Sequence, residues 1–316
     1  MGNYIKILAV VIVLVFAGCK DWLDVKPKTA VEEDVLFSTE QGFKENLTGI
    51  YLLLASKDLY GRELSYGITD ILAQRYEPGG GSDIPELKFA DNDWYKFPSV
   101  KTEGYVNSIW KNMYKVIANI NNFLTWIDKN KEVLTTPDYY EIMKGEALGL
   151  RAFIHFDLIR LWGPVPSKVD VNRTYLPYVT VNSANRYEYV TYEKYMTLLF
   201  EDLKRAEELL GKSDVVLKMS FEDTETTSSV WPYRKSRMNY YGVLGLLARV
   251  HLWYGNIEEA LRYARLVKDA TNPDGSKKFR LTNEVDDFPD NSWVDGTCYS
   301  EHICGTKCDT YDYGKG

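Results

Sequence analysis

Five apolar stripes of helical period dominate the middle of this chain, and most leave only a short interval before the next. Val106, Ile109 or Trp110, Met113, Ile117, Ile120, Leu124 and Ile127 make the first. Ala147, Leu150, Ile154, Leu158 and Leu161 make the second, stopped by Gly163-Pro164. Tyr195, Leu199, Leu203, Ala206 and Leu210 form a third, ending at Gly211. Tyr240, Val243, Leu247, Val250 and Tyr254 form a fourth that halts at Gly255, and a fifth follows at once with Ala260, Leu261, Ala264 and Val267. Spacings of three and four put each set on one helix face, and such a face must be buried against another element. Stripes joined by short turns therefore predict helical hairpins packed in succession.

An earlier helix is expected from about Thr39 to Ser56, with Phe43, Leu47, Ile50, Tyr51 and Leu54 on its apolar side and Ser38 or Thr39 as its N-cap. Between it and the first long stripe, Lys57 to Val100 carries Pro78, Gly79, Gly80, Gly81, Pro85 and Pro98 and reads as loop, with a short apolar stretch at Ile68 to Leu72. No strand pattern of comparable strength precedes Lys277. Around Gly255 the small residues Ala248 and Ala260 lie twelve apart, with Tyr263 beyond, a spacing similar to that of a tetratricopeptide repeat. The fold class expected is mainly α, a tetratricopeptide-like helical-repeat scaffold with long irregular loops.

The N-terminus carries a different signal. Lys6 precedes an unbroken apolar run from Ile7 to Ala17, then Gly18-Cys19. About 20 apolar residues are needed to span a bilayer as a helix, so the run fits the core of a secretory signal. The order Phe16-Ala17-Gly18-Cys19 resembles the lipobox of bacterial lipoproteins, with Phe16 bulkier than the usual Leu or Val. Residues 1–18 are thus expected to be a signal peptide, Cys19 the site of lipid attachment, and residues 19–38 a tether.

Composition narrows the function classes. The formal charge is −7, and loss of Lys6 with the leader makes it more negative still. Nucleic acid demands the opposite sign. Aromatic residues reach 14%, with 24 Tyr and 8 Trp, suited either to packing helices or to binding flat, hydroxyl-rich ligands. Beyond Cys19, only Cys298, Cys304 and Cys308 remain, an odd number that cannot pair fully within one chain. Disulfides do not hold this core together.

Several longer motifs, taken together, resemble the SusD/RagB family of outer-membrane lipoproteins. Cys19-Lys20-Asp21-Trp22-Leu23-Asp24 with Pro27 is similar to the family's mature N-terminus, and Lys20-Asp21 to its surface-export signal. Trp110, Tyr114, Ile117 and Asn121 match a W-x-x-x-Y-x-x-I-x-x-x-N helix. Gly145-Glu146-Ala147, Leu150-Arg151-Ala152-Phe153, Phe156-Asp157-Leu158 and Gly163-Pro-Val-Pro166 form the most specific match, and Ala248-Arg249-Val250, Leu252 and Gly255-Asn256 complete it. On that resemblance residues 39–303 form a SusD-like N-terminal helical-repeat domain. Family members run on well past this point, so residues 304–316 are read as an atypical tail and the domain as incomplete.

Motifs for catalysis are absent from the chain. His155, His251 and His302 stand far apart, and no HExxH, G-x-S-x-G or phosphate-loop spacing occurs; Gly79-Gly80-Gly81-Ser82 lacks the Lys and helix a phosphate cradle needs. Cys298, His302, Cys304 and Cys308 lack the usual zinc spacing, and the acidic run Asp286, Asp287, Asp290, Asn291 and Asp295 lacks the order of an EF-hand. No catalytic residue, metal or cofactor is expected. Arg151 and Glu146 are expected to make charge-assisted bonds inside the scaffold.

Binding is expected from aromatics in loops, where a ring stacks on a sugar face and polar neighbours bond its hydroxyls. The candidates are Arg75, Tyr76, Asn92, Trp94, Tyr95, Trp231, Tyr233 and Trp293, whereas Trp110, Trp126 and Trp253 lie in helical patterns and are assigned to the core. By resemblance, the chain is a surface lipoprotein that captures an oligosaccharide and passes it to a SusC-like TonB-dependent outer-membrane transporter. Peptide uptake within the same family and a helical-repeat adaptor without a pocket are the alternatives. Replacing Cys19 with Ala should move the protein from the membrane to the soluble fraction, and retention on membranes would refute the lipid anchor.

Overall fold

The computed structural model describes residues 33–73, 75, 100–225, 231–281 and 299–305. Six long helices follow one another: α1 (Glu40–Leu54), α2 (Val100–Lys129), α3 (Tyr139–Trp162), α4 (Tyr192–Ser213), α5 (Tyr240–Tyr254) and α6 (Ile257–Lys268). Each packs on the next, and α3 also touches α5. The scaffold is mainly α and tetratricopeptide-like, as its stripes and short turns require.

Local chemistry starts and stops these helices. At α1, Thr39 has extended backbone and its hydroxyl accepts the Gly42 N–H at 3.1 Å. Thr191 caps α4 through the Lys194 N–H, and Asn239 caps α5 through the Gly242 N–H. Each cap satisfies one amide that the first turn leaves orphaned. Gly255 closes α5 at φ +94°, a left-handed conformation that glycine adopts without Cβ strain, and α6 begins two residues later.

Helix α3 departs from the single stripe its sequence suggests. It is buried on every side, with Ile142, Met143, Ala147, Leu150, Ile154, Leu158 and Ile159 spread around its circumference. A helix apolar all round belongs at the centre of a fold, and α3 is flanked by α2, α4 and α5. Its glycines allow that crowding. A Cβ at Gly145 would lie 2.6 Å from Leu210 Cγ on α4, and one at Gly149 would lie 2.7 Å from Met238 Cγ just before α5.

Other boundaries shift from the sequence reading. Glu33–Leu36 forms a helical turn and Phe37 is fully buried against Phe43, Phe123 and Trp126, so the core begins inside the expected tether. Ile68–Leu72 is a short helix. Thr174–Leu176 (β1) pairs antiparallel with Val190–Thr191 (β2), a ribbon too short for any alternation to register in sequence. Trp110, Trp126 and Trp253 are half-buried and packed on the core.

The segment after β1 is stitched to three helices through polar side chains. Arg151 makes a two-pronged bond to Asp202 on α4 at 2.7 and 2.5 Å and donates to Asn121 on α2 at 2.9 Å. The Tyr178 hydroxyl donates to the same Asp202 at 2.6 Å. Beside them the Val179 N–H donates to His155 Nε2 at 3.2 Å, which leaves the proton on Nδ1, 3.0 Å from the Tyr195 hydroxyl. That hydroxyl donates to the His155 carbonyl at 2.7 Å.

Burial, reinforced by the nearby Arg151 guanidinium, pushes the His155 imidazole down to about 3. The folded state keeps this ring neutral, whereas an unfolded chain protonates it below about 6.5. The unfolded state thus binds more protons in that window, and stability falls as pH drops from 6.5 towards 3. Between pH 7 and pH 5 the loss is expected to be on the order of 2 kcal/mol in denaturant unfolding. His251, also shifted downward by burial, adds in the same direction. His155→Gln should be less stable at pH 7 but flatter across the window, and an unchanged slope would refute the assignment.

Candidate functional site

Residues 231–239, which lead into α5, are arranged around a buried charge cluster. Arg234 is fully buried with Glu146 of α3 and Asp214, the residue that ends α4. Arg234 Nε and Nη2 donate to the two Asp214 oxygens at 3.0 and 2.7 Å, and Nη1 bonds Glu146 Oε1. The second Asp214 role is capping, since its Oδ2 accepts the Tyr240 N–H at 2.8 Å at the start of α5. Glu146 Oε2 accepts the Tyr51 hydroxyl at 2.9 Å and faces Arg237 Nη1 at 3.6 Å. With two carboxylates and two guanidiniums the cluster is neutral. Burial alone would lower the Arg234 pKa, but Asp214 and Glu146 raise it above the ordinary arginine value.

This cluster decides the fate of the sequence-predicted Trp231. Its indole N–H donates to Glu146 Oε1 at 2.6 Å, its ring meets Tyr139 edge-on, and only 3% of it is exposed. Trp231 is therefore a core residue in the described fold rather than a presented stacking surface. Tyr233 lies two residues on, at φ +61°, and is 45% exposed. A non-glycine residue in the left-handed region costs about 1 kcal/mol or more. Here that backbone turn separates buried Trp231 and Arg234 from an outward Tyr233. Arg75 is exposed and 3.7 Å from Asp70. Tyr76, Asn92, Trp94, Tyr95 and Trp293 lie outside the described residues, as do Cys19, Cys298 and Cys308.

A cleft of about 680 Å³ opens between residues 51–66, α3 and α5. Tyr51, Tyr60, Tyr66, Phe153, Leu246 and Arg249 line it. Gly242 and Gly245 form part of one wall, where residues 303–305 dock. Asn239 donates to the Ile303 carbonyl at 2.7 Å, and the Gly305 N–H donates to the Lys235 carbonyl at 2.9 Å. Tyr60 and Phe153 meet at 4.9 Å, while burial and the Asp157 carboxylate hold the Tyr60 phenol well above its usual pKa. The Tyr51, Tyr60 and Tyr66 hydroxyls donate within the fold, so the cleft offers mainly ring surface, which suits a ligand with apolar faces. No group of three or more His, Cys, Asp or Glu side chains able to hold a metal occurs among the described residues. None of the described helices is long and apolar enough to cross a membrane.

The aromatic wall was partly legible. Tyr60-Gly61-Arg62 and Tyr66 stand in the Gly-rich loop region, an aromatic and polar mixture of the kind sought elsewhere. Phe153 and Arg249 sit on helices, and only packing reveals that they face a cleft.

Comparison with known proteins bears on this scaffold directly. The sequence model of the SusD-like family, described as "Starch-binding associating with outer membrane", matches residues 21–224. SusD-like protein P25 of Formosa agariphila is 25% identical over 169 residues, 51% of this chain and 31% of that protein. SusD-like protein P2 of the same organism is 23% identical over 166 residues, 51% of this chain and 30% of that protein. Among solved structures, a SusD superfamily protein from Bacteroides thetaiotaomicron superposes with TM-score 0.55 at 19% identity, covering 78% of this chain and 49% of its own. A SusD-like carbohydrate binding protein from Bacteroides vulgatus gives 0.52 at 19% identity, covering 74% and 46%. The matched region spans less than a third of the curated relatives' length and about half of the solved chains. At these identities the structural likeness is one of fold.

Trp231→Phe keeps the ring but removes a donor from buried Glu146, and it should lower the unfolding free energy by about 1–3 kcal/mol in denaturant titration. Tyr233→Ala, at an exposed position, should stay within about 0.5 kcal/mol of wild type. Equal stability of both variants would contradict the buried role of Trp231.

Proposed function

The chain belongs to the SusD-like family, and we propose that it captures an oligosaccharide at the cell surface without chemical conversion. Cys19 would carry the lipid that holds it to the outer membrane, and a SusC-like TonB-dependent transporter would receive the ligand. One observation carries the reading: the family match covers 21–224, the stretch that builds α1 to α4 and two of the three sides of an aromatic cleft.

Ring surfaces are what sugar capture requires. The C–H face of a pyranose stacks on an aromatic ring while amides and guanidiniums take the hydroxyls. Tyr233 is presented outward, and Trp94, Tyr95 and Trp293, with Arg75, Tyr76 and Asn92, remain the proposed partners of the glycan. The buried clusters around Arg151 and Arg234 support shape, since both make closed sets of hydrogen bonds within the fold.

Affinity electrophoresis through gels containing polysaccharides tests capture. The protein should be retarded by at least one glycan, and Trp94→Ala with Tyr233→Ala and Trp293→Ala should weaken that retardation. Retardation left unchanged by all three substitutions overturns the aromatic assignment. Binding of peptides with no glycan retardation replaces the ligand class, and turnover of a bound glycan overturns the non-catalytic role.

A further inference from the structure

Beside the aromatic cleft, sharing Tyr60, Phe153 and Arg249 with it, lies a second pocket of about 460 Å³ with a different character. Its polar groups are Asp157 and Arg160 on α3, Arg249 on α5, Thr69 and the Tyr60 hydroxyl, and Trp253 forms an aromatic wall. The volume falls within the roughly 300–1,000 Å³ of small-molecule sites.

The charges in this pocket do not balance. Asp157 is its sole carboxylate among the described residues, and both of its oxygens are engaged: Oδ2 accepts the Tyr60 hydroxyl at 2.8 Å and Oδ1 accepts Arg160 Nη1 at 3.0 Å. Arg249 has no hydrogen bond among the described residues; its guanidinium lies 5.8 Å from the Phe156 ring centroid. Arg160 lies 5.4 Å from the same ring and 5.9 Å from that of Trp253. Two guanidiniums are thus held against one ring beside a single, already bonded carboxylate. The Trp253 indole is fixed by donating to the Tyr192 hydroxyl at 3.0 Å. Arg249 acts on the Asp157 carboxylate and the Tyr60 phenol through space without bonding either, so among the described residues one net positive charge and the Arg249 donors face an incoming group.

We propose that this pocket binds the acidic substituent of a glycan, a carboxylate or sulfate ester carried on a sugar ring that packs against Trp253. The inference rests on glycan capture and narrows it to acidic oligosaccharides. Arginine suits this role because its planar donors match the oxygens of a carboxylate or sulfate, and such charge-assisted bonds are the stronger class. The neighbouring cleft would then accept the uncharged rings of the same chain, with Arg249 at the junction of the two.

Calorimetry on the full chain, with length-matched neutral, uronate and sulfated oligosaccharides, tests it. At least one acidic series should bind about tenfold more tightly than the neutral one, the scale of one charge-assisted hydrogen bond. Which acidic series is preferred identifies carboxylate or sulfate as the bound group. Arg249→Gln, at an exposed position, should weaken acidic binding more than neutral binding and so remove most of that preference, while Arg249→Lys should keep part of it. The preference should also shrink with added salt. Neutral binding with no acidic preference, or a preference that Arg249→Gln leaves unchanged, overturns the acidic pocket while glycan capture stands. Failure of all three series to bind overturns capture and the pocket together.

Discussion

The Glu146–Arg234–Asp214 cluster is the contact on which the surrounding structure converges. Its three charged side chains come from α3, from the segment before α5 and from the end of α4, and all are fully buried. Isolated charges at such depth cost several kcal/mol each, so the arrangement survives only if every polar atom is met. It is met: Trp231, Tyr51 and Arg237 complete Glu146, while the Val216 and Tyr240 amides complete Asp214. Removing one member would leave the others charged and unpaired, which ties α1, α3, α4 and α5 into one unit.

That unit explains where the cleft can form. Tyr51 hydrogen-bonds Glu146 and also accepts the Met238 N–H at 2.8 Å, so the end of α1 is locked to the start of α5. Residues 55–66, which follow directly, are carried over the faces of α3 and α5 and leave the aromatic cleft between them. The polar pocket beside it arises where α3 ends, because Asp157 and Arg160 fall on the side that meets Arg249 and Trp253 of α5. Rigid helices hold these groups, and rigid elements position binding groups better than loops do.

Much of the helical scaffold was legible along the chain. Period-3.6 stripes, the Thr39 cap, the Gly163-Pro164 stop and the Gly255 turn all report local preferences that tertiary packing leaves unchanged. The charge-assisted bonds of Glu146 and Arg151 were legible as a need, because a charged residue on an apolar helix requires a partner. Their partners were not. Asp202 lies 51 positions from Arg151 and Arg234 lies 88 from Glu146, and no local rule links such distances. The β1–β2 ribbon escaped for the opposite reason, being too short to show a period.

Residue type and spacing by themselves determined the class of fold, several helix caps and stops and the likeness to the SusD-like family, since each is encoded within a few turns of chain. Tertiary structure alone decided which aromatics are presented and which are consumed. Trp231 and Tyr233 are two residues apart in one loop, equally plausible as ligand contacts by composition. A buried carboxylate claims the first, and a left-handed turn directs the second to the surface. Phe153, Arg249 and Trp253, unremarkable on their helices, line the clefts because α3 and α5 bring them together.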